Sequence, residues 1–113
     1  LKNVPVSRIC LHNDDSSHLH EMYMFHSRPY SVGPLKQNKE SISYHIVDGL
    51  LEISTNSQDK KIILGSELFE NETLSRSYRL RPNEFRMVES KSDYCIFLEV
   101  NNGPFKDSDT IWK

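Results

Sequence analysis

Short apolar segments recur along the chain, separated by turn-forming residues. Eight of them combine apolar and polar positions with the period of two that is typical of a half-buried strand. They span residues 8–12, 20–26, 42–48, 50–55, 61–64, 77–80, 85–89 and 94–100. Strands at this spacing predict a two-sheet sandwich or a small barrel.

Turn signals lie between several of these segments. The Asp48-Gly49 pair stands between two apolar runs. It predicts a tight hairpin turn, because glycine readily adopts positive φ and aspartate tolerates it. Residues 56–59 are polar and predict the next hairpin turn. Residues 66–74 are mostly polar and acidic, so we expect a long loop or one helical turn there.

A segment rich in helix and strand breakers follows the second predicted strand. Pro29, Gly33 and Pro34 interrupt residues 27–40. Proline cannot donate a ladder hydrogen bond and is confined to edges and bulges of sheets. We therefore expect residues 27–40 to form a bent, partly irregular edge.

Alternation sorts the strand residues into faces. One face of the segment 20–26 carries His20, Met22, Met24 and His26, and the other carries Glu21, Tyr23 and Phe25. In the segment 42–48, one face carries Ile42, Tyr44 and Ile46. Several of these faces mix apolar and polar side chains, which indicates a barrel with a polar-lined pocket.

Composition supports a single all-β domain. The chain has 113 residues, a length at which one core is usual, so we expect one domain over residues 1–113. It contains no alanine, the best helix former, while β-branched and aromatic residues supply most of the bulk. The net charge of −2 lacks the basic footprint that nucleic-acid binding needs.

The sequence also predicts a cytoplasmic protein without a membrane segment. No apolar run is long enough to span a bilayer, and the N-terminus lacks the features of a secretory signal. Cys10 and Cys95 are too few for a disulfide framework and stand in apolar stretches, where a reduced cysteine packs as a small hydrophobe.

Several side chains could carry chemistry. On a strand, His18 and His20 would point the same way and could share a metal ion with His12, but a metal site needs three or four converging ligands, so we expect none. The candidates for acid–base work by residue type are His20, His26, His45, Glu21 and Glu99. Arginines that could clamp a carboxylate or phosphate are Arg8, Arg79, Arg81 and Arg86.

The residues His20-Glu21-Met22, Tyr30, Pro34, Lys39, Ser43, His45, Gly49 and Gly103-Pro104-Phe105 resemble the pattern of the WbuC-like cupins. These are small β-barrel proteins often encoded among genes for O-antigen and other surface polysaccharides. The resemblance covers nearly the whole chain. It implies one cupin-type jelly-roll barrel of two antiparallel sheets, a homodimer, and a role in surface polysaccharide biosynthesis.

The resemblance fails at the metal ligands. Aligned from Pro34 to His45, Leu35 and Gln37 stand at the places of the two family histidines and Ile42 at that of the glutamate. Phe85-Arg86 falls on the Trp-His pair, so Arg86 takes the fourth ligand position. Leucine and isoleucine have no donor atoms and arginine is a permanent cation, so we expect no metal and no other cofactor.

Three functions remain open at this point. The first is a metal-free protein that binds a sugar or nucleotide-sugar through Arg86, Gln37, Tyr44, Lys39 and Glu99. The second is a metal-independent sugar isomerase or epimerase in which His20, Glu21, His26 and Tyr44, or Tyr23, act as acid and base. The third is a structural or regulatory subunit whose pocket is filled by Leu35 and Ile42. An open pocket with Arg86 but without a paired acid and base favours binding.

Overall fold

The chain forms strands, as its composition indicates. The computed structural model describes residues 6–39, 41–55, 60–66, 74–104 and 106–112. Within these ranges the strands are β1 (Val6–Cys10), β2 (Leu19–His26), β3 (Ser31–Gln37), β4 (Ile42–Asp48), β5 (Leu50–Thr55), β6 (Lys60–Gly65), β7 (Ser77–Leu80), β8 (Arg86–Ser90), β9 (Cys95–Asn102) and β10 (Thr110–Trp112). A 3-10 turn, Asp107–Asp109, precedes β10. The predicted all-β fold is confirmed.

The strands form two five-stranded antiparallel sheets. The order in the first sheet is β1-β2-β9-β4-β7, and in the second sheet it is β10-β3-β8-β5-β6. Central pairs such as β2 with β9 and β3 with β8 join strands that are far apart in sequence. Such long-range antiparallel pairing in two facing sheets is the jelly-roll arrangement.

The core lies between the sheets and follows the predicted alternation. Ile42, Tyr44 and Ile46 of β4 face the second sheet, where Leu51 and Ile53 of β5 are fully buried. The other buried apolar side chains of this cluster are Ile62, Leu64, Leu80, Val88, Cys95 and Phe97. The apolar cluster fills one side of the sandwich and leaves the inner positions on the other side for polar residues.

The eight predicted strands all correspond to strands of the structure, with ends that differ by two residues at most. The predicted Asp48-Gly49 turn joins β4 to β5. Gly49 has a φ of +104°, and a Cβ atom there would lie 2.6 Å from the carbonyl oxygen of Tyr94. The turn predicted at 56–59 lies outside the described residues, as does most of the loop predicted at 66–74.

The segment 27–40 is irregular, as predicted, but the prediction that it forms a sheet edge was wrong. Half of this segment is the strand β3, which lies between β10 and β8 inside the second sheet. The register shifts between Val32 and Leu35, so the bulge accommodates Pro34 without a ladder hydrogen bond at that point. Gly33 has a φ of +117°, a conformation that favours glycine at the bulge.

The edge strand β10 was not predicted from the sequence. It has three residues and pairs Thr110 with Gln37 and Trp112 with Leu35. A strand of three residues is too short to show a period-two alternation in the sequence. Its place in the sheet is set by its pairing with β3. Two of its residues, Thr110 and Trp112, line a cavity between the two sheets.

Candidate functional site

A cavity of about 250 Å³ lies between the two sheets, next to the apolar core. Its walls are Arg8, Met24, His26, Val32, Leu35, Gln37, Tyr44, Arg86, Val88, Phe97, Glu99, Thr110 and Trp112. We call this the central cavity. Its exposed lining residues, Arg8 and Trp112, belong to the edge strands β1 and β10. The cavity therefore opens between these two edges.

Arg86 of β8 is the principal polar group of the central cavity. Only 4 % of the residue is exposed. Its Nε and Nη2 atoms donate hydrogen bonds to the Tyr44 hydroxyl oxygen at 3.1 and 2.9 Å, and Nη2 also donates to Gln37 Oε1 at 3.0 Å. The third nitrogen, Nη1, is buried and has no hydrogen-bond partner in the described part of the chain. The guanidinium therefore keeps one donor group unused.

The charges of the central cavity do not balance. Arg86 and Arg8 supply two cations, and Glu99 is the one carboxylate that lines the cavity among the described residues. Glu99 accepts a hydrogen bond from Asn101 Nδ2 at 3.1 Å and makes no ion pair within 4 Å in this part of the chain. Burial raises the pKa of Glu99, and Arg86 offsets part of that increase. The cavity thus carries an excess of positive charge.

Tyr44 faces the same space from the first sheet. Burial raises the pKa of its hydroxyl well above the ordinary value, and the nearby Glu99 carboxylate raises it further. The hydroxyl is therefore protonated at neutral pH. Because its oxygen accepts two bonds from Arg86, its own proton is available as a donor to another group.

A neighbouring cavity of about 230 Å³ shares Arg8, Met24, Gln37 and Glu99 with the central cavity. His12 and His20 lie in its wall, and their rings stack with centroids 4.0 Å apart. His18, which could have shared an ion with His20, precedes β2 and is exposed, while His20 is buried. The buried Nε2 of His20 has no hydrogen-bond partner among the described residues and packs near Gly103.

His26 lines the central cavity and is fully buried. Its Nδ1 atom lies 2.9 Å from the Ser90 hydroxyl, and its ring packs edge-on against Phe97. Burial lowers the pKa of His26 below the ordinary value. Neither His20 nor His26 makes a hydrogen bond with a carboxylate or a tyrosine hydroxyl in the described part of the chain, so neither belongs to a paired acid and base.

Other predicted site residues lie away from both cavities. Glu21 and Tyr23, considered as acid and base, are on the outer face of β2, opposite His20 and His26. His45 is on the outer face of β4, where its Nε2 lies 2.9 Å from the Ser43 hydroxyl. Lys39 is buried but donates to the Pro104 carbonyl at 2.9 Å and lies 3.6 Å from Asp109. These contacts satisfy the Lys39 ammonium group within the protein.

The residues at the expected ligand positions do not fit a metal ion. Leu35, Gln37 and Arg86 line the central cavity, with the guanidinium of Arg86 bonded to Gln37. Ile42 packs in the apolar core. Among the described residues, no three His, Cys, Asp or Glu side chains converge as a ligand set. A divalent cation beside Arg86 would be repelled by a fixed positive charge.

The site also contains residues that the sequence did not single out. Trp112 and Thr110 line the central cavity from β10, and Asn101 orients Glu99 from β9. Of the arginines considered as clamps, Arg8 and Arg86 are in the cavity, while Arg79 and Arg81 are exposed. A signal for Trp112 existed, because it is the one tryptophan of the chain. Its position, however, depends on the pairing of β10 with β3.

The fold is similar to that of solved cupins. A cupin superfamily protein from Desulfitobacterium hafniense superposes with a TM-score of 0.68 and 15 % identity over 86 % of this chain and 76 % of that one. For an RmlC-like cupin from Shewanella frigidimarina the values are 0.66 and 12 % over 92 % and 80 %. For KdgF from Halomonas sp. they are 0.65 and 11 % over 92 % and 83 %. The chain therefore has the cupin jelly-roll fold.

The likeness is one of structure alone. No protein-family model matches the sequence, and no curated protein matches it either. At these identities the neighbours establish the fold and leave the chemistry to be argued from the cavity. In the described residues there is no helix with the length and apolarity that crossing a membrane requires.

Proposed function

We propose that this protein binds a small sugar derivative that carries a carboxylate, without a metal ion. The observation that carries the proposal is the buried Nη1 of Arg86, which faces no acceptor among the described residues. An unsatisfied buried donor costs about 1–3 kcal/mol, and more when it is charged. A carboxylate in the cavity would remove that cost, because it supplies two acceptor oxygens and one negative charge.

The polar groups of the cavity match a hydroxylated acid. Arg86 Nη1 and the Tyr44 hydroxyl proton are donors that suit a carboxylate. The Glu99 carboxyl lies in the same cavity and, when ionised, accepts a hydrogen bond from a hydroxyl group. Apolar walls from Leu35, Val88 and other side chains leave a few polar groups to orient the ligand, which is typical of small-molecule sites.

The size of the cavity favours a single sugar unit. Sites for drug-sized ligands have volumes of roughly 300–1,000 Å³. The central cavity has about 250 Å³, so a whole nucleotide-sugar is too large for it. A monosaccharide acid is the class that the volume and the charge support together.

The arrangement favours binding over catalysis or a filled pocket. An isomerase or epimerase needs an acid and a base within hydrogen-bond reach of the substrate, usually held by partners. In the described residues the cavity histidines have no such pairing with Glu99 or Tyr44. The cavity is open although Leu35 lines it, so the apolar replacements have not filled it.

The cellular part of the proposal rests on the resemblance to the WbuC-like cupins. That likeness supports a cytoplasmic role in the biosynthesis of O-antigen or another surface polysaccharide. The cupin fold is compatible with this role and with many others.

Calorimetric titration with D-galacturonate, D-glucuronate and neutral D-galactose tests the proposal. We expect one acid or both to bind one per chain, and galactose to bind at least tenfold more weakly. Arg86→Met should weaken binding of the acid at least tenfold. It should still fold, because replacing a buried charge by an apolar side chain of similar volume is often neutral or stabilising.

The matched control is Arg76→Met, which removes an exposed arginine from the same chain. It should bind like the wild type. Equal affinity of wild type and Arg86→Met would remove Arg86 from the site and contradict the proposal. Failure of both acids to bind the wild type at millimolar concentration would do the same.

A further inference from the structure

Trp112, Leu35 and Arg86 form one row across the second sheet. Trp112 of β10 pairs with Leu35 of β3, and Leu35 pairs with Arg86 of β8. Directly paired residues of neighbouring strands project their side chains from the same face of a sheet. All three residues line the central cavity, so this face is the inner one.

The row fixes the distance between its two ends. Neighbouring strands are about 4.7–4.9 Å apart, so two steps place the Trp112 and Arg86 backbones about 10 Å from each other. Arg86 is at the buried end, with 4 % of the residue exposed, and Trp112 is at the mouth, with 64 % exposed. A pyranose ring with one carboxylate substituent fits the length of this row.

The chemistry at the mouth suits a sugar ring. An indole presents a large apolar face beside a polar N–H, so it can cover the C–H face of a ring while leaving its hydroxyls hydrated. Leu35 between the two ends adds apolar surface under the ligand. The strand that carries Trp112 is tied to the cavity by a bond from Gln37 Nε2 to Thr110 Oγ1 at 3.3 Å.

We propose that Trp112 holds the ring of a cyclic sugar acid whose carboxylate reaches Arg86, so that the site selects cyclic sugar acids over short open-chain acids. This inference rests on the proposed function and adds the class of ligand and the residue that selects it. A short acid such as lactate contacts Arg86 alone. A hexuronate contacts both ends of the row and gains the apolar contact with Trp112.

The single tryptophan makes the inference directly measurable. We expect D-galacturonate to shift the emission of the wild type to shorter wavelength as the ring covers the indole, while sodium lactate leaves the emission unchanged at saturating concentration. In calorimetry, Trp112→Ala should weaken galacturonate binding at least tenfold and leave lactate affinity within twofold. Trp112→Phe should retain most of the galacturonate affinity.

The control is Ile111→Ala, which removes an exposed side chain from the outer face of the same strand. It should bind galacturonate like the wild type. If galacturonate binds by calorimetry but the emission is unchanged and Trp112→Ala binds normally, the inference is wrong and the carboxylate site stands. Equal losses of affinity for galacturonate and lactate in Trp112→Ala would also overturn the inference, because they indicate a general structural defect. If neither compound binds the wild type, both proposals fail.

Discussion

The Tyr44 hydroxyl oxygen accepts two hydrogen bonds from the Arg86 guanidinium, at 3.1 Å from Nε and 2.9 Å from Nη2. Tyr44 belongs to the first sheet and Arg86 to the second, so the contact joins the sheets through the interior. It holds the guanidinium with Nη1 free of protein acceptors in the described residues. Arg86 therefore presents a fixed cation to the central cavity.

The first prediction concerns this contact. Tyr44→Phe removes the acceptor of two guanidinium bonds and leaves only Gln37 as a partner of Arg86 among the described residues. We expect the free energy of unfolding in urea to fall by about 1–3 kcal/mol, because a charged buried donor loses its partner. Binding of the sugar acid should weaken as well, since Tyr44 supplies a donor.

A double-mutant cycle separates this cause from the loss of packing. In an Arg86→Met background, Tyr44→Phe should cost much less, because the charge that needs the hydroxyl is gone. Tyr30→Phe, which removes a hydroxyl from an exposed tyrosine outside the sandwich interior, should change stability by about 0.5 kcal/mol or less. If Tyr44→Phe lowers the free energy of unfolding equally in the wild-type and Arg86→Met backgrounds, the effect does not depend on the Arg86 charge and the prediction is wrong.

The second prediction is the metal content. Elemental analysis of purified, untagged protein should find well under one equivalent of zinc, iron, manganese or nickel per chain. The physical reason is the Arg86 charge beside Leu35 and Gln37, which offer at most one weak ligand atom. A stoichiometric amount of one of these metals, retained after dialysis, would show that this assignment of the ligand positions is wrong.

The third prediction concerns acid stability. Burial lowers the pKa of His26 in the folded protein, while an unfolded histidine titrates near pH 6.5. The unfolded state therefore binds the proton more readily, and stability decreases as the pH falls below about 6.5 toward the folded pKa. Urea unfolding at pH 7.5, 6.0 and 5.0 measures the decrease. Above pH 7 the stability should not depend on His26 protonation.

A variant without this imidazole isolates its contribution. His26→Gln keeps a polar group near the Ser90 hydroxyl but does not titrate. It should lose less stability than the wild type between pH 7.5 and 5.0, whatever its stability at pH 7.5. The comparison with His18→Gln, which removes an exposed histidine, controls for the change in total charge. Parallel pH curves for wild type and His26→Gln would contradict the prediction.

The fourth prediction concerns association. The outer face of the first sheet carries a row in which Ile9 pairs with Tyr23 and Tyr23 with Leu98, and Phe25 lies beside it. Ile9 is 66 % exposed, and the row contains no charged side chain. We propose that a second copy of the chain covers this row, since a net charge of −2 causes little repulsion between copies.

Light scattering after size exclusion should then give twice the 13.2 kDa mass of one chain. Tyr23→Glu should give the monomer mass, because a buried unpaired carboxylate opposes association. Ile63→Glu, a charge on an exposed position of the second sheet, should leave the dimer intact. A wild type that is monomeric at about 0.1 mM would disprove the proposal.

The sequence by itself determined where the strands lie and, for the strands analysed, which side chains share a face. Alternation with a period of two is a local property, so it correctly separated His20 and His26 from Tyr23 on opposite faces of β2. It also located the Asp48-Gly49 turn, because positive φ is a property of the residue. The residues Leu35, Gln37 and Arg86, which the alignment put at ligand positions, all line the central cavity.

Only the tertiary structure decided which residues meet. The row from Trp112 to Arg86 depends on the pairing of a three-residue strand with β3, and β3 itself is hidden in the sequence by its bulge. The stack of His20 with His12, rather than a pair with His18, depends on where β2 begins. Pairing between distant strands is set by the closure of the whole sandwich, and no short stretch of sequence contains that information.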